Sequence, residues 1–202
     1  MRLLFAGGSG TMCAMRWLAE KYLRWRGWEL VGVEPPYGKF LAVAAPHTSN
    51  WDFVGFLGVA RHFRIPARVI GKHSLVRGPF GPLMRRLGII PVERDTGQGL
   101  VQQMVGEYAA ADRMALVIAP EGTRRAAPFW RSGFHRIATA AGVPIVLTFL
   151  DYEHKRGGIG PIIEPTGQME DDMATIAAFY EGMKGKNPEN QGPIRLEQPD
   201  TA

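Results

Sequence analysis

Short apolar runs rich in β-forming residues alternate along this chain with longer stretches of helical period, and that alternation is what most restricts its fold. Strand-like runs lie at residues 28–33, 40–45, 67–71, 89–92, 115–119, 145–150 and 159–163. Helical patterning covers 12–26, 50–63, 80–87, 97–111, 133–141 and 171–183. Strands interleaved with helices predict an α/β fold: a single domain with a mostly parallel mixed sheet flanked by helices. The 202 residues suffice for one such domain, and 46% hydrophobic with 21% charged residues is a globular composition, which argues against disorder or coiled coil. The expected organisation is an amphipathic helix and leading strand over 1–35, a core over 36–184, and an irregular tail rich in Pro and Gly over 185–202.

One cysteine, Cys13, excludes an internal disulfide and a four-cysteine metal site. His62, His73, His135 and His154 are not spaced as metal ligands, so no metal is expected. The opening apolar run ends at Gly7-Gly8-Ser9-Gly10, too short for a secretory core, and no window approaches the ~20 apolar residues of a membrane span. Charge is uneven. Residues 1–95 carry 14 Lys+Arg against 6 Asp+Glu, or +8; residues 96–202 carry 10 against 13, or −3. The front half therefore suits an anionic partner. In the 12–26 segment, Trp17, Leu18, Tyr22 and Trp25 alternate with Arg16, Lys21, Arg24 and Arg26. Such a helix fits an anionic membrane surface, or equally a cover over one end of the sheet.

Chemistry-bearing residues cluster where strands end. Ala45-Pro46-His47-Thr48-Ser49-Asn50-Trp51-Asp52 follows one strand and enters a helix, at the carboxyl edge where open α/β sheets place their sites. The spacing lets the Asp52 carboxylate fold back on the His47 ring, fix its tautomer and make the other nitrogen a base. Taken alone, the same residues also suit a capped helix with a loop histidine. Ala119-Pro120-Glu121-Gly122-Thr123-Arg124-Arg125 follows a second strand. Its glycine permits close backbone approach, its arginines offer forked donors for phosphate, and Glu121 can accept from a hydroxyl or orient an arginine. A solvated turn with paired arginines is the plainer alternative. Gly88 to Asp95 closes a third strand with Glu93-Arg94-Asp95, carrying Arg94 to a sheet edge.

Together these segments resemble the glycerophospholipid acyltransferase family, which includes the lysophosphatidic acid acyltransferases. His47-Thr48-Ser49-Asn50-Trp51-Asp52 looks like its H-x-x-x-x-D motif. Gly88 to Arg94 is similar to its second block, Pro120-Glu121-Gly122-Thr123-Arg124 to its third, and Val143-Pro144-Ile145-Val146 to its fourth. Lys72 resembles the lysine ahead of the second block, and Trp130-Arg131-Ser132-Gly133 the aromatic-basic stretch after the third. The likeness covers roughly residues 40–150. Pro46, Glu93 and Arg125 depart from the family's common Asn, Asp and Ser, and only 46 residues precede His47, so a long anchoring region is expected to be missing or abbreviated.

The resemblance implies transfer of a fatty acyl group from acyl-CoA or acyl-ACP to the free hydroxyl of a lysophospholipid-like acceptor, without a covalent intermediate. His47 would be the general base and Asp52 its partner. Lys72, Arg94, Glu121, Gly122, Thr123 and Arg124 would bind substrate. No cofactor beyond the thioester co-substrate is expected. The implied partners are the acyl donor, acyl carrier protein among them, the lysolipid and an anionic membrane surface, with no nucleic acid; the implied location is peripheral, on the cytoplasmic side of a membrane. The contrasting reading is a basic peripheral module that binds anionic lipid or nucleic acid without chemistry, which leaves His47 and Asp52 unexplained.

Overall fold

The computed structural model describes residues 10–73, 77, 81–86, 88–92 and 97–196. Their strands are β1 (Glu29–Val31), β2 (Lys39–Ala45), β3 (Ala67–Lys72), β4 (Ile89–Val92), β5 (Met114–Ile118), β6 (Ile145–Asp151) and β7 (Arg156–Ile163). Helices α1 (Gly10–Trp25), α2 (Trp51–His62), α3 (Gly81–Arg86), α4 (Gly97–Ala110), α5 (Gly133–Ala141) and α6 (Met169–Tyr180) intervene. The strands form one sheet in the order β1-β7-β6-β2-β5-β3-β4. Every adjacent pair is parallel except β6 and β7, which run antiparallel. The architecture is thus the single α/β domain the alternation predicts. β7 starts three residues earlier than its apolar run, because Arg156-Gly157-Gly158 lacks alternation yet pairs with both β1 and β6.

β2 lies at the centre and is buried along almost its whole length, as a parallel strand covered on both faces must be. Its side chains divide with a period of two. Leu41, Val43 and Ala45 face a core with Met104 and Tyr108 of α4, Phe134 and Ile137 of α5, and Ile176 and Tyr180 of α6. Phe40 and Ala42 face a second core with Val59 and Ala60 of α2, and Phe63 just after it. Each fully buried side chain of this size contributes about 1.5–3 kcal/mol by leaving water. Tyr180 also donates its hydroxyl to the Val43 and Thr148 carbonyls at 3.0 and 2.9 Å, so its polar end is satisfied inside the core.

Register decides what meets at the sheet's carboxyl edge. Val43 pairs with Ile118, Ala45 with Phe149, and Val69 with Val117. The segments leaving β2, β5, β6 and β3 therefore emerge side by side, carrying His47, Glu121, Tyr152 and Lys72 to one edge. α1 packs on α2 through buried Ala19 and Leu23, while Trp17, Leu18 and Trp25 stay exposed. The helix thus lies on α2 and leaves an aromatic, cationic face outward.

Candidate active site

The loop between β2 and α2 is organised by one carboxylate. Asp52, in the first turn of α2, is fully buried. Its Oδ2 accepts the amides of Thr48 and Ser49, both at 2.8 Å, and lies 3.2 Å from His47 Nδ1. Its Oδ1 accepts the hydroxyl of Tyr152 at 2.9 Å. Burial pushes this carboxyl up, but the His47 ring, the Ser49 amide, the Tyr152 hydroxyl and the Thr48 amide outweigh it and hold Asp52 below the usual carboxylate range. An ionised Asp52 draws the ring proton to Nδ1 and leaves Nε2 as a free lone pair. The His47 side chain is 26% exposed, so the ring is within reach of a ligand.

Burial raises the Tyr152 hydroxyl well above its ordinary value, reinforced by the Asp52 charge, so it stays a donor. Tyr152 follows the last residue of β6 and is absent from the sequence-derived set. Its place just past a carboxyl strand end is the one signal that marks it.

The β5 turn stands against the same loop. Glu121 Oε1 accepts the His47 amide at 2.9 Å, while Oε2 is buried without a hydrogen-bond partner among the described residues. Burial raises this carboxyl above the usual range, partly offset by its own amide and that of His47. Gly122 has φ of 66°, and a Cβ there would meet Arg131 Nε at 2.8 Å, so the turn needs glycine. Thr123 Oγ1 accepts the Arg125 amide at 3.3 Å, and Arg124 Nη1 donates to Asn50 Oδ1 across the cleft. His47, Asp52, Glu121, Gly122, Thr123 and Arg124 are therefore brought together. Lys72 ends β3 opposite Val92 of β4, at the same edge. Arg94 lies outside the described residues.

Two cavities of opposite character share His47 and Ala119 in their walls. A polar cavity of about 650 Å³ is lined by His47, Asn50, Gly122, Thr123, Arg124 and Arg125, and holds no acidic group. An apolar cavity of about 290 Å³ lies between α2 and the sheet, lined by Phe53, Phe56, Leu57, Ile65, Ile70 and Val117, and again by His47. The first has the size and donors of a small-molecule anion site; the second suits a hydrocarbon.

The segment after α6 completes the polar cavity, a contribution sequence reasoning did not anticipate. Asn187 donates its amide to Thr48 Oγ1 at 3.1 Å and its Nδ2 to the Thr48 carbonyl at 3.0 Å. Gly185 packs so closely on Thr48 that a Cβ would sit 2.6 Å from its hydroxyl. Asn187 and Asn190 both line the cavity, the latter in a single 3-10 turn, Pro188–Asn190. The expected tail over 185–202 thus includes, in its described part, one wall of the cleft.

Other titratable groups lie elsewhere. His135 Nε2 meets Asp172 Oδ2 at 2.7 Å with both side chains buried, joining α5 to α6. Among the described residues, no three His, Cys, Asp or Glu side chains gather as metal ligands would, and no helix is long and apolar enough to cross a membrane.

The acyltransferase family profile matches residues 34–148, more than half of the chain, and spans β2 with the His47 loop, α2 and the Glu121 turn. The chain belongs to the acyltransferase family. The fold of this acyltransferase resembles the crystal structure of PlsC, the 1-acyl-sn-glycerophosphate acyltransferase of Thermotoga maritima. The TM-score is 0.54 at 17% identity, over 87% of this chain and 81% of that one. No curated protein sequence matches this acyltransferase significantly. The matched family region ends before Tyr152 and before the Asn187 wall, so both are contributions of the surrounding chain.

Proposed function

We propose that this acyltransferase moves a fatty acyl group from the thioester of CoA or acyl carrier protein to the free hydroxyl of a lysophospholipid-like acceptor, 1-acylglycerol-3-phosphate or a related lysolipid. The observation that carries the reading is His47 standing in the wall of both cavities, one cationic and polar, the other apolar. An acceptor phosphate in the first and an acyl chain in the second put the hydroxyl and the thioester carbonyl on either side of one imidazole.

In this mechanism His47 Nε2 takes the proton from the acceptor hydroxyl as its oxygen attacks the carbonyl carbon. Asp52, already ionised and hydrogen-bonded to Nδ1, stabilises the imidazolium. The tetrahedral adduct collapses with cleavage of the carbon–sulfur bond, and the imidazolium returns the proton to the thiolate. Such base catalysis contributes about 10² to 10⁴-fold in rate. Arg124 and the Glu121–Thr123 turn, together with Arg94 and Lys72, seat the phosphate and glycerol portion and hold the hydroxyl in line. The exposed Trp17, Leu18 and Trp25 of α1, with Phe53 near the start of α2, lay this face on an anionic membrane from the cytoplasmic side. The similar Thermotoga maritima protein is named for an acceptor of this class.

The test is release of free thiol from long-chain acyl-CoA or acyl-ACP when lysophosphatidic acid is supplied, with lipid products identified by mass spectrometry. The wild-type chain should produce thiol and diacyl lipid in equal amounts. A folded His47→Ala protein that keeps near-normal turnover would overturn the mechanism.

A further inference from the structure

A third cavity, of about 210 Å³, has Trp51 in its wall, next in the chain to Asn50 of the polar cleft. Four aromatic rings, Tyr22, Trp28, Trp51 and Tyr152, contribute to its walls, and Arg26, Lys155 and Lys186 supply three cations with no acidic residue among them. Among the described residues none of these three cations is held in an ion pair. The Tyr22 and Trp51 rings are nearly parallel, at 6.1 Å and 20°, and Lys186 Nζ sits 4.7 Å over the Trp51 ring. Trp28 and Tyr152 meet edge to face at 4.9 Å, so a planar base entering here finds ring edges as well as faces; a stacked base gains about 1–3 kcal/mol, and the cations offer phosphate contacts.

The two sites are continuous in sequence. Asn50 and Asn187 line the polar cleft, and their chain neighbours Trp51 and Lys186 line the aromatic cavity. The Trp51–Lys186 pair is therefore a ridge between the two. The aromatic cavity is smaller than the ~300–1,000 Å³ of a complete small-molecule site, so it fits one end of an extended ligand. A donor whose thioester reacts at His47 and whose other end is a planar, multiply phosphorylated group has that shape.

Resting on the acyltransferase reading above, we infer that this cavity holds the adenine nucleotide end of the acyl-CoA donor. The base stacks on the aromatic walls, Arg26, Lys155 and Lys186 bind the phosphates, and the pantetheine arm crosses the Trp51–Lys186 ridge to His47. The ring faces favour a nucleotide over a lipid headgroup, for which cations alone would serve.

The experiment uses 3′-phosphoadenosine 5′-phosphate as a probe, measured by calorimetry on the full chain, and the double variant Arg26→Gln with Lys155→Gln. Both positions are exposed, so the fold should survive. The expected result is binding by the wild-type chain that weakens about tenfold or more in the variant, as loss of charge-assisted contacts predicts. The KM for acyl-CoA should rise by a similar factor with kcat held, and the KM for the matching S-acyl-pantetheine should not move. No binding of the probe, or equal KM changes for both donors, would overturn the inference, even where transfer from acyl-ACP shows the acyltransferase reading to be sound. If the variant loses only its sedimentation with phosphatidylglycerol vesicles, the cavity is a lipid headgroup site and the inference fails. Because probe binding needs no turnover, it decides the question even if every donor and acceptor pair proves inactive.

Discussion

The Tyr152 hydroxyl reaches back one hundred positions to Asp52 Oδ1 at 2.9 Å, so both oxygens of the carboxylate beside His47 are held, one by the loop itself and one by the end of β6. Tyr152→Phe leaves a buried oxygen without its donor and removes a contribution that keeps Asp52 ionised. A depressed carboxyl adds stability that is complete above its unfolded value and lost as pH falls through its folded one. The variant should lose about 1–3 kcal/mol at neutral pH, with the loss shrinking toward acid, read by urea denaturation across pH. Its kcat should fall while acceptor KM holds.

Glu121 has the opposite sign. Its raised carboxyl means that stability is greatest where the group is protonated and declines as pH rises from about 4.5, the ordinary glutamate value, through the folded value. Glu121→Gln keeps an acceptor for the His47 amide and removes the buried charge. Melting curves from pH 4 to 8 should show the variant gaining on the wild type as pH rises. A difference independent of pH would refute the assignment.

Asn187→Ala removes the Nδ2 bond to the Thr48 carbonyl and leaves the main-chain bond to Thr48 Oγ1 in place. The polar cleft should loosen without collapse. Acceptor KM is expected to rise about 2- to 10-fold, the worth of one hydrogen bond, with donor KM unchanged in initial-rate kinetics.

Val117→Phe places a larger side chain in the apolar cavity. Each methylene it excludes forfeits ~0.8 kcal/mol, about fourfold in kcat/KM. Competition among acyl-CoA species should therefore shift in favour of shorter chains, with short-chain turnover retained. Unchanged selectivity would move the acyl chain elsewhere.

His135→Ala strips Asp172 of its imidazole partner inside the α5–α6 contact, leaving only the Thr166 amide and hydroxyl, each at 3.1 Å. Leaving a buried polar group without its hydrogen-bond partner costs about 1–3 kcal/mol, and chemical denaturation should show that loss. The specific activity of the folded fraction should be unaffected, since neither residue lines the cleft.

What could be read from the sequence follows from the range of each interaction. Asp52 lies five residues from His47 and acts through a local loop, so motif spacing revealed the pair. Glu121 and Arg124 were visible because their turn directly follows the buried run 115–119, and parallel pairing of β2 with β5 then delivers them to His47. Tyr152 and Asn187 contact the same loop from one hundred and 139 positions away, and neither carries a local pattern that announces it. The apolar cavity was hidden for another reason. Phe53, Phe56 and Leu57 look like ordinary packing residues of an amphipathic helix, and only the three-dimensional fit of α2 on the sheet shows a space beneath them.

The bond from Asn187 to Thr48 also orders events during synthesis. A ribosome that has released residues up to about 150 has supplied β2, α2, β5 and β6, and a domain can begin to fold as it emerges. The loop bearing His47 is nonetheless fastened from outside only after residue 187 is free of the exit tunnel. A nascent chain therefore carries His47 and Asp52 before it has closed the wall beside them.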